Sequence, residues 1–475
     1  MPILLLFLAS LFAVPAWSQP LAIESGLIEG VPGDGVTIYR GIPYAAPPIG
    51  DRRWREPSQP PSWQGVRVAD HFSPACPQKG TYPPDQPEEA TSEDCLFLNV
   101  WRPAGESARP LPVLVWIHGG GLLNGSGSLP VYEGSRLARQ GIIVVTLNYR
   151  LGVLGFLAHP EHISGNYGLL DQIAALTWVQ RNIAVFGGDP ARVTVAGQSA
   201  GSNAISVLTA SPLAQGLFAQ VIGQSGGMFE PMEMMENFRL SGAEKDGARF
   251  AKGDTIEALR KLPAESLLER SFDPHPIIDG HVLAESPYDV YRQHKEIPVP
   301  LLLGYDQGDG LPFLAGRTIS AGNFRDELGM DFPPLLVKLL TPSSVKDDAE
   351  AKSVAASVER DLRFRWDMWR WAQSGQGPVF FYRFAIGEAG HGSELPAVFG
   401  GSGPMARYWV NFIKTGNPNG EGLPAWPAFT KEGHRLMSFA DQPRAEPVPG
   451  EAALRRIERV YLFPRVLLRY WHKLF

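Results

Sequence analysis

No long run of lysine or arginine stands in the 475 residues, and charged side chains make up only 19% of them. With a net charge of −6 and a pI near 6.0, the chain lacks an electrostatic footprint for nucleic acid, and small molecules are the better-fitting partners. Neither the G-x-x-x-x-G-K-[ST] phosphate loop nor a well-placed G-x-G-x-x-G is present, which excludes the common nucleotide sites. The stretch HGSE at 391–394 has no second ligand pair, so no metal is expected, and neither is an organic cofactor. Internal repeats and low-complexity segments are also absent. Only two cysteines occur, Cys76 and Cys95. Their spacing suits one disulfide closing a surface loop in an oxidising compartment, and two separately buried thiols are the alternative.

What the chain does have is a globular composition, with 44% hydrophobic residues, 12 Trp and 43 Pro, enough for a large core with many stiff loops. The opening MPILLLFLASLFAVPAWSQP is apolar and uncharged from Pro2 to Trp17, and Ala16-Trp17-Ser18 is a small-x-small pattern before Gln19. Residues 1–18 are therefore expected to be an export signal, too short for a stable membrane span, which places the remainder, 19–475, outside the cell or in a periplasm.

Strand-like and helix-like runs alternate through the first half: 111–119, 141–150, a helix around 166–186, then 192–196. That order predicts an α/β protein with a mostly parallel sheet covered by helices. Leu169, Ile173, Leu176, Val179 and Ile183 recur at spacings of three and four and belong to the core face of the helix. From about 229 to 275 and from 311 to 375 the chain turns helical and more charged, without an isolating linker. These segments are expected to be insertions capping a cleft, with Trp366, Trp369 and Trp371 as packing residues.

Two stretches match G-x-S-x-G, at Ser199 and Ser225. The chemistry needs a strand, a sharp turn that lifts the serine, and a helix whose first amide faces the same space. Ser199 follows the β-branched RVTVA and precedes AGSNAISVLTA, free of helix breakers. Ser225 is followed by GGMFEPMEM, which opposes immediate helix growth, so Ser199 is the candidate nucleophile. The glycine run of WIHGGGLLNGSG lies just after a strand, and the amides of Gly120 and Gly121, with that of Ala200, are candidate oxyanion donors. Leu122 and Gln198, beside these groups, are candidate pocket residues. Of the histidines after Ser199, His391 lies in a glycine-flanked loop after the strand-like PVFFYRFAI and is the candidate base. The acid belongs at another strand end, where Asp306 and Asp309 both stand after PLLLG, and composition does not choose between them.

With these residues in view, the chain resembles the type-B carboxylesterase family of α/β-hydrolases. The resemblance runs over nearly the whole mature chain through YRGIPYAAPPIGDRRW, SEDCLFLNVW, VLVWIHGGG, VVTLNYRLGVLGFL, NYGLLDQIAALTWVQRNIAVFGGDPARVTVAGQSAGS and GHGSELPAVFG, in order. It implies a single α/β-hydrolase domain from residue 19 to 475 that hydrolyses small-molecule esters through an acyl-enzyme. It places the nucleophile on Ser199, the base on His391 and the acid on Asp309, where the family commonly has Glu, and it gives Ser225 a supporting place behind them. It also implies a Cys76–Cys95 bridge and ion pairs of Arg40 with Glu93 and Arg150 with Asp171. Two departures stand out. Gln198 occupies a position where the family usually has Glu, and the short loop from Cys76 to Cys95 has no Trp, which argues against choline esters. Hydrolysis of amides, carbamates or lipids, or a non-catalytic adhesion role, are the alternative functions.

Overall fold

The computed structural model describes residues 19–474 apart from 81–88, 106, 162, 388 and 431. The expected export signal, 1–18, lies outside the described residues. Seven parallel strands form the centre of the main sheet, in the spatial order Ile143–Leu147, Leu111–Ile117, Gly188–Gln198, Gln220–Gln224, Leu301–Asp306, Val379–Phe384 and Arg435–Phe439. Antiparallel strands extend both edges, Phe97–Pro103 and Val36–Pro43 on one side and Arg444–Pro447 on the other. This is the expected α/β-hydrolase arrangement.

Why these runs form buried strands is visible in their alternation. On Leu111–Ile117, Val113, Val115 and Ile117 join one apolar core while Leu114 and Trp116 join the other. A strand covered on both faces must be apolar at every position, because successive side chains point to opposite sides. The first core also takes the helices Tyr167–Asn182 and Ala200–Ala210, and the second takes Gly403–Thr415, so the sheet lies between two helical layers. Leu169, Leu176, Val179 and Ile183 are fully buried as expected, and Ile173 is only partly so.

The inserted segments are helical as expected: Leu240–Ala251, Ile256–Arg260 and Ala264–Leu268 in the first, Phe324–Gly329, Pro334–Leu340, Asp348–Arg360 and Trp366–Ser374 in the second. Trp366, Trp369 and Trp371 are buried in the core. Between the last two helices, Asp361–Arg365 winds as one wider π-helical turn. Such a turn inserts a residue into the helical repeat and redirects the side chains after it.

The disulfide joins Cys76 to Cys95, and Arg150 pairs with Asp171 in the core at 2.7 Å. The pairing of Arg40 with Glu93 is not what forms. Glu93 instead takes a two-pronged bond from Arg53, whose Nε lies 2.8 Å from Glu93 Oε2. Arg53 is buried and its other nitrogen also binds the carbonyls of Leu259 and Leu262, so it is held where Glu93 arrives. Arg40 lies over the Phe72 ring at 5.1 Å and donates to the Asp70 carbonyl. Among the described residues no helix is long and apolar enough to cross a membrane, and no group of three metal-binding side chains converges.

Candidate active site

The candidate nucleophile, base, acid and oxyanion donors all stand just past the carboxyl end of a parallel strand, the edge where open α/β sheets gather their loops. Ser199 follows Gly188–Gln198 and opens the helix Ala200–Ala210, with φ 56° and ψ −127°. A non-glycine residue in that region stores about 1–3 kcal/mol of strain, which the surroundings must hold. They do so from both sides. The Ser199 N–H donates to the Gln224 carbonyl at 2.8 Å, and its own carbonyl accepts from Asn203. The flanking glycines are required by close approach, since a Cβ on Gly201 would stand 2.1 Å from the Ile117 carbonyl oxygen, and one on Gly197 would meet it at 2.8 Å.

The glycine run passes directly beside this turn. A Cβ on Gly119 would lie 3.1 Å from Ser199 Cβ and 2.7 Å from the Gln198 carbonyl. Gly120 adopts φ 104°, and its carbonyl accepts from the N–H groups of Leu123 and Asn124. His118, just before the run, donates from Nδ1 to the Gly119 carbonyl at 2.8 Å and stacks on Tyr149 at 4.4 Å. Burial lowers the affinity of His118 for a proton to a pKa of about 4, so the ring is neutral and keeps that donor pointed at the loop. The Ala200 amide is the first of its helix, with no acceptor inside the helix.

His391 Nδ1 lies 2.6 Å from Asp309 Oδ1, with the histidine side chain 6% exposed and the aspartate fully buried. Asp309 is therefore the acid that meets the histidine, and Asp306 is not. Asp306 ends its strand and turns its carboxylate to the Ser393 N–H at 2.9 Å. The two loops are joined by backbone as well, since the Gly308 N–H donates to the Ala389 carbonyl at 2.7 Å. The second oxygen of Asp309 accepts from Ser225 Oγ and from the Asp306 N–H, both at 2.9 Å. Ser225 is buried and no helix follows it, in keeping with its assignment behind the acid.

With the Nδ1 proton committed to Asp309, His391 Nε2 is left as an acceptor. It meets Gln198 Nε2 at 3.1 Å. The histidine ring is stacked on Phe364 at 4.5 Å and edged by Phe313 at 6.1 Å. These two aromatics were not singled out in the sequence. Phe364 reaches the ring from the π-helical turn, and a local wider turn leaves no mark in a 3.6-residue periodicity. Leu122 is buried beside the glycines with φ 60°, and its carbonyl is tied to the Gly152 N–H at 2.7 Å. Glu394, three residues after His391, was also missed; it is fully buried and accepts from Gln224 Nε2 at 2.8 Å. Three other candidate histidines lie elsewhere, His434 against Glu451 and Phe429, His281 against Glu56, and His275 on the Asn237 carbonyl.

The model of the carboxylesterase family matches residues 18–455. The fumonisin B1 esterase of Sphingopyxis macrogoltabida is 35% identical in an alignment that spans 88% of this chain and 86% of that protein. The para-nitrobenzyl esterase of Bacillus subtilis (strain 168) is also 35% identical, over 87% of this chain and 93% of its own. A solved PNB esterase structure superposes with a TM-score of 0.81 at 33% identity, covering 92% of this chain and 99% of that one.

Proposed function

This chain belongs to the carboxylesterase family of serine hydrolases acting on carboxylic esters, and from that premise we propose that Ser199, His391 and Asp309 carry out the hydrolysis. Ser199 Oγ attacks the ester carbonyl while His391 Nε2 takes its proton. The oxygen of the tetrahedral intermediate becomes negative against the amides of Gly120, Gly121 and Ala200. Collapse expels the alcohol, which receives the proton from His391, and leaves an acyl-serine. Water then enters by the same route, with His391 again taking a proton, and the acid is released. Asp309 holds the ring in the tautomer with Nδ1 protonated and balances the imidazolium in each half-reaction. Each step needs only a nucleophile, a base and fixed dipoles.

The observation that carries this reading is the 2.6 Å contact of His391 Nδ1 with Asp309 Oδ1 at the same strand edge as the strained Ser199 turn. Phe313 and Phe364 set apolar surface against the His391 ring, which suits small-molecule esters with an apolar acyl or alcohol part. The Cys76–Cys95 bridge supports a secreted or periplasmic location, since such bonds persist in oxidising compartments.

The test is hydrolysis of a short-chain aryl ester by the mature chain beside Ser199→Ala and Ser225→Ala. Ser199→Ala is expected to abolish both turnover and covalent labelling by an organophosphate, while Ser225→Ala still labels. A wild-type chain that neither turns over nor labels would instead favour a binding or adhesion role.

A further inference from the structure

Behind the histidine lies a second acidic arrangement that the hydrolytic steps do not use. Asp306 and Glu394 are both fully buried. Asp306 is bonded to the acid and to the loop that carries the histidine: its N–H donates to Asp309 Oδ2 at 2.9 Å, and its Oδ2 accepts from the Ser393 N–H at 2.9 Å, two residues past His391. Glu394 Oε1 accepts from Gln224 Nε2 at 2.8 Å, and Gln224 Oε1 accepts from Trp409 Nε1. That leaves Asp306 Oδ1 and Glu394 Oε2, both buried and without a donor.

Two ionised carboxylates in a dry site would leave those oxygens unsatisfied and repelling, at a cost that burial multiplies. Among the described residues, the groups shown acting on the pair carry no positive charge: they are Asp309, the buried Tyr382 phenol, Gln224 and the Ser393 N–H, and His391 meets Asp309. One proton between the two oxygens resolves the conflict, giving each a partner and reducing the charge of the three-carboxyl group from −3 to −2. We propose that Asp306 and Glu394 share a single proton, and that the bridged pair is a positioning element fixing the Asp309 loop and the His391 loop to one another. The assignment rests on the catalytic reading above. Burial, followed by the neighbouring carboxylates, raises the proton affinity of Asp306 well above the carboxylate range, and burial raises that of Glu394 too, in the direction a shared proton requires.

Either amide can supply the bridging hydrogen. In Asp306→Asn the side-chain N–H donates to Glu394. In Glu394→Gln it donates to Asp306, now ionised, and the net charge of the pair is −1 in both. Asp306→Ala removes the bridge and the Ser393 contact together.

The experiment is the pH profile of kcat and KM for aryl-ester hydrolysis by the wild type and these three variants. Organophosphate labelling of Ser199 is confirmed first in each preparation. Wild type is expected to show an alkaline decline in kcat as the pair loses its proton. Asp306→Asn and Glu394→Gln are expected to stay within about threefold of wild-type kcat/KM at neutral pH and to lose that decline. Asp306→Ala is expected to lose about tenfold or more in kcat with KM little changed. Stability gives a readout free of turnover. A raised carboxyl binds a proton in the folded chain that the unfolded chain has released, so the pair's own contribution to stability falls as pH rises from about 4, opposite in sign to that of His118, and the difference between the Ser199→Ala chain with and without Asp306→Asn is expected to show that fall. Failure of wild type to label overturns the catalytic reading. Labelling with an unchanged alkaline limb in both amide variants, or with Asp306→Asn as damaged as Asp306→Ala, overturns the shared proton alone. If Asp306→Asn does not fold, Glu394→Gln carries the same expectation, and failure of both overturns it.

Discussion

Ser225 Oγ donates to Asp309 Oδ2 at 2.9 Å, on the carboxylate oxygen opposite the one that meets His391. On the proposed mechanism, the second G-x-S-x-G of the chain serves the acid and does not compete with Ser199 for substrate. Its turn is strained in the same sense as the nucleophile's, with φ 49°, so its hydroxyl is held in place by backbone.

Removing that hydroxyl leaves Asp309 Oδ2 with the Asp306 N–H alone. A hydrogen bond to a charged group contributes about 1.5–3 kcal/mol, and the Asp309–His391 attraction is strongest when the imidazolium forms. Ser225→Ala is therefore expected to lower kcat by about tenfold or more with KM near that of the wild type. A KM effect with unchanged kcat would mean that Ser225 acts on substrate binding instead.

Gln198 donates to His391 Nε2 at 3.1 Å and so binds the neutral ring. A carboxylate there would bind the protonated ring and oppose its work as a base. Gln198→Glu is expected to move the acid limb of the kcat/KM profile upward by about one pH unit. If the limb does not move, Gln198 has left the histidine in the working enzyme. In that case its departure from the family's usual Glu matters through the substrate alone.

How much of this was legible beforehand follows from the kind of signal each residue gives. Ser199, the glycine run and the parallel strands were legible because each is a local pattern: a β-branched strand, a turn that only glycine permits, a helix without breakers. The choice of Asp309 over Asp306 was not in the composition, since both follow the same strand. It depended on the resemblance, and in the structure it turns on three residues of loop that carry Asp309 back over the strand end. Arg40, expected to pair with Glu93 where Arg53 does so, shows the same limit, because partners 40 residues apart in a loop-rich region are set by tertiary arrangement. Phe364 and Glu394 were silent. One needs a π-helical turn to reach His391, and the other is a buried acid that any sequence rule would place at the surface.

His118 makes stability depend on pH. It is fully buried, and its pKa of about 4 lies below the ordinary histidine value of 6.5, with desolvation as the main cause. Between those values the unfolded chain binds a proton that the folded chain refuses, so stability falls as pH drops through that window and is fully present above it. The contribution is about 3 kcal/mol. Urea unfolding of wild type and His118→Gln is expected to show a steeper loss in the wild type from pH 6.5 to 4. Parallel curves would mean that another group sets the acid response.

The disulfide loop reaches the glycine run proposed to hold the oxyanion. Gln78, two residues past Cys76, clamps Gly125 from both sides: the Gly125 N–H donates to Gln78 Oε1 at 2.7 Å, and Gln78 Nε2 donates to the Gly125 carbonyl at 3.0 Å. Ser126 bonds Glu89 from the same loop. These contacts brace the segment that continues directly from Gly120 and Gly121. Replacing both cysteines by serine is expected to cost about 3 kcal/mol of stability by releasing the unfolded chain. It should also lower kcat, because the amides must be held before charge develops on the oxygen. Gln78→Ala separates the two effects. With the bridge intact, stability should drop by only about 1 kcal/mol, and kcat should still fall several-fold at unchanged KM. If the cysteine variant loses stability while both variants keep full kcat, the loop braces the fold and has no part in holding the oxyanion amides.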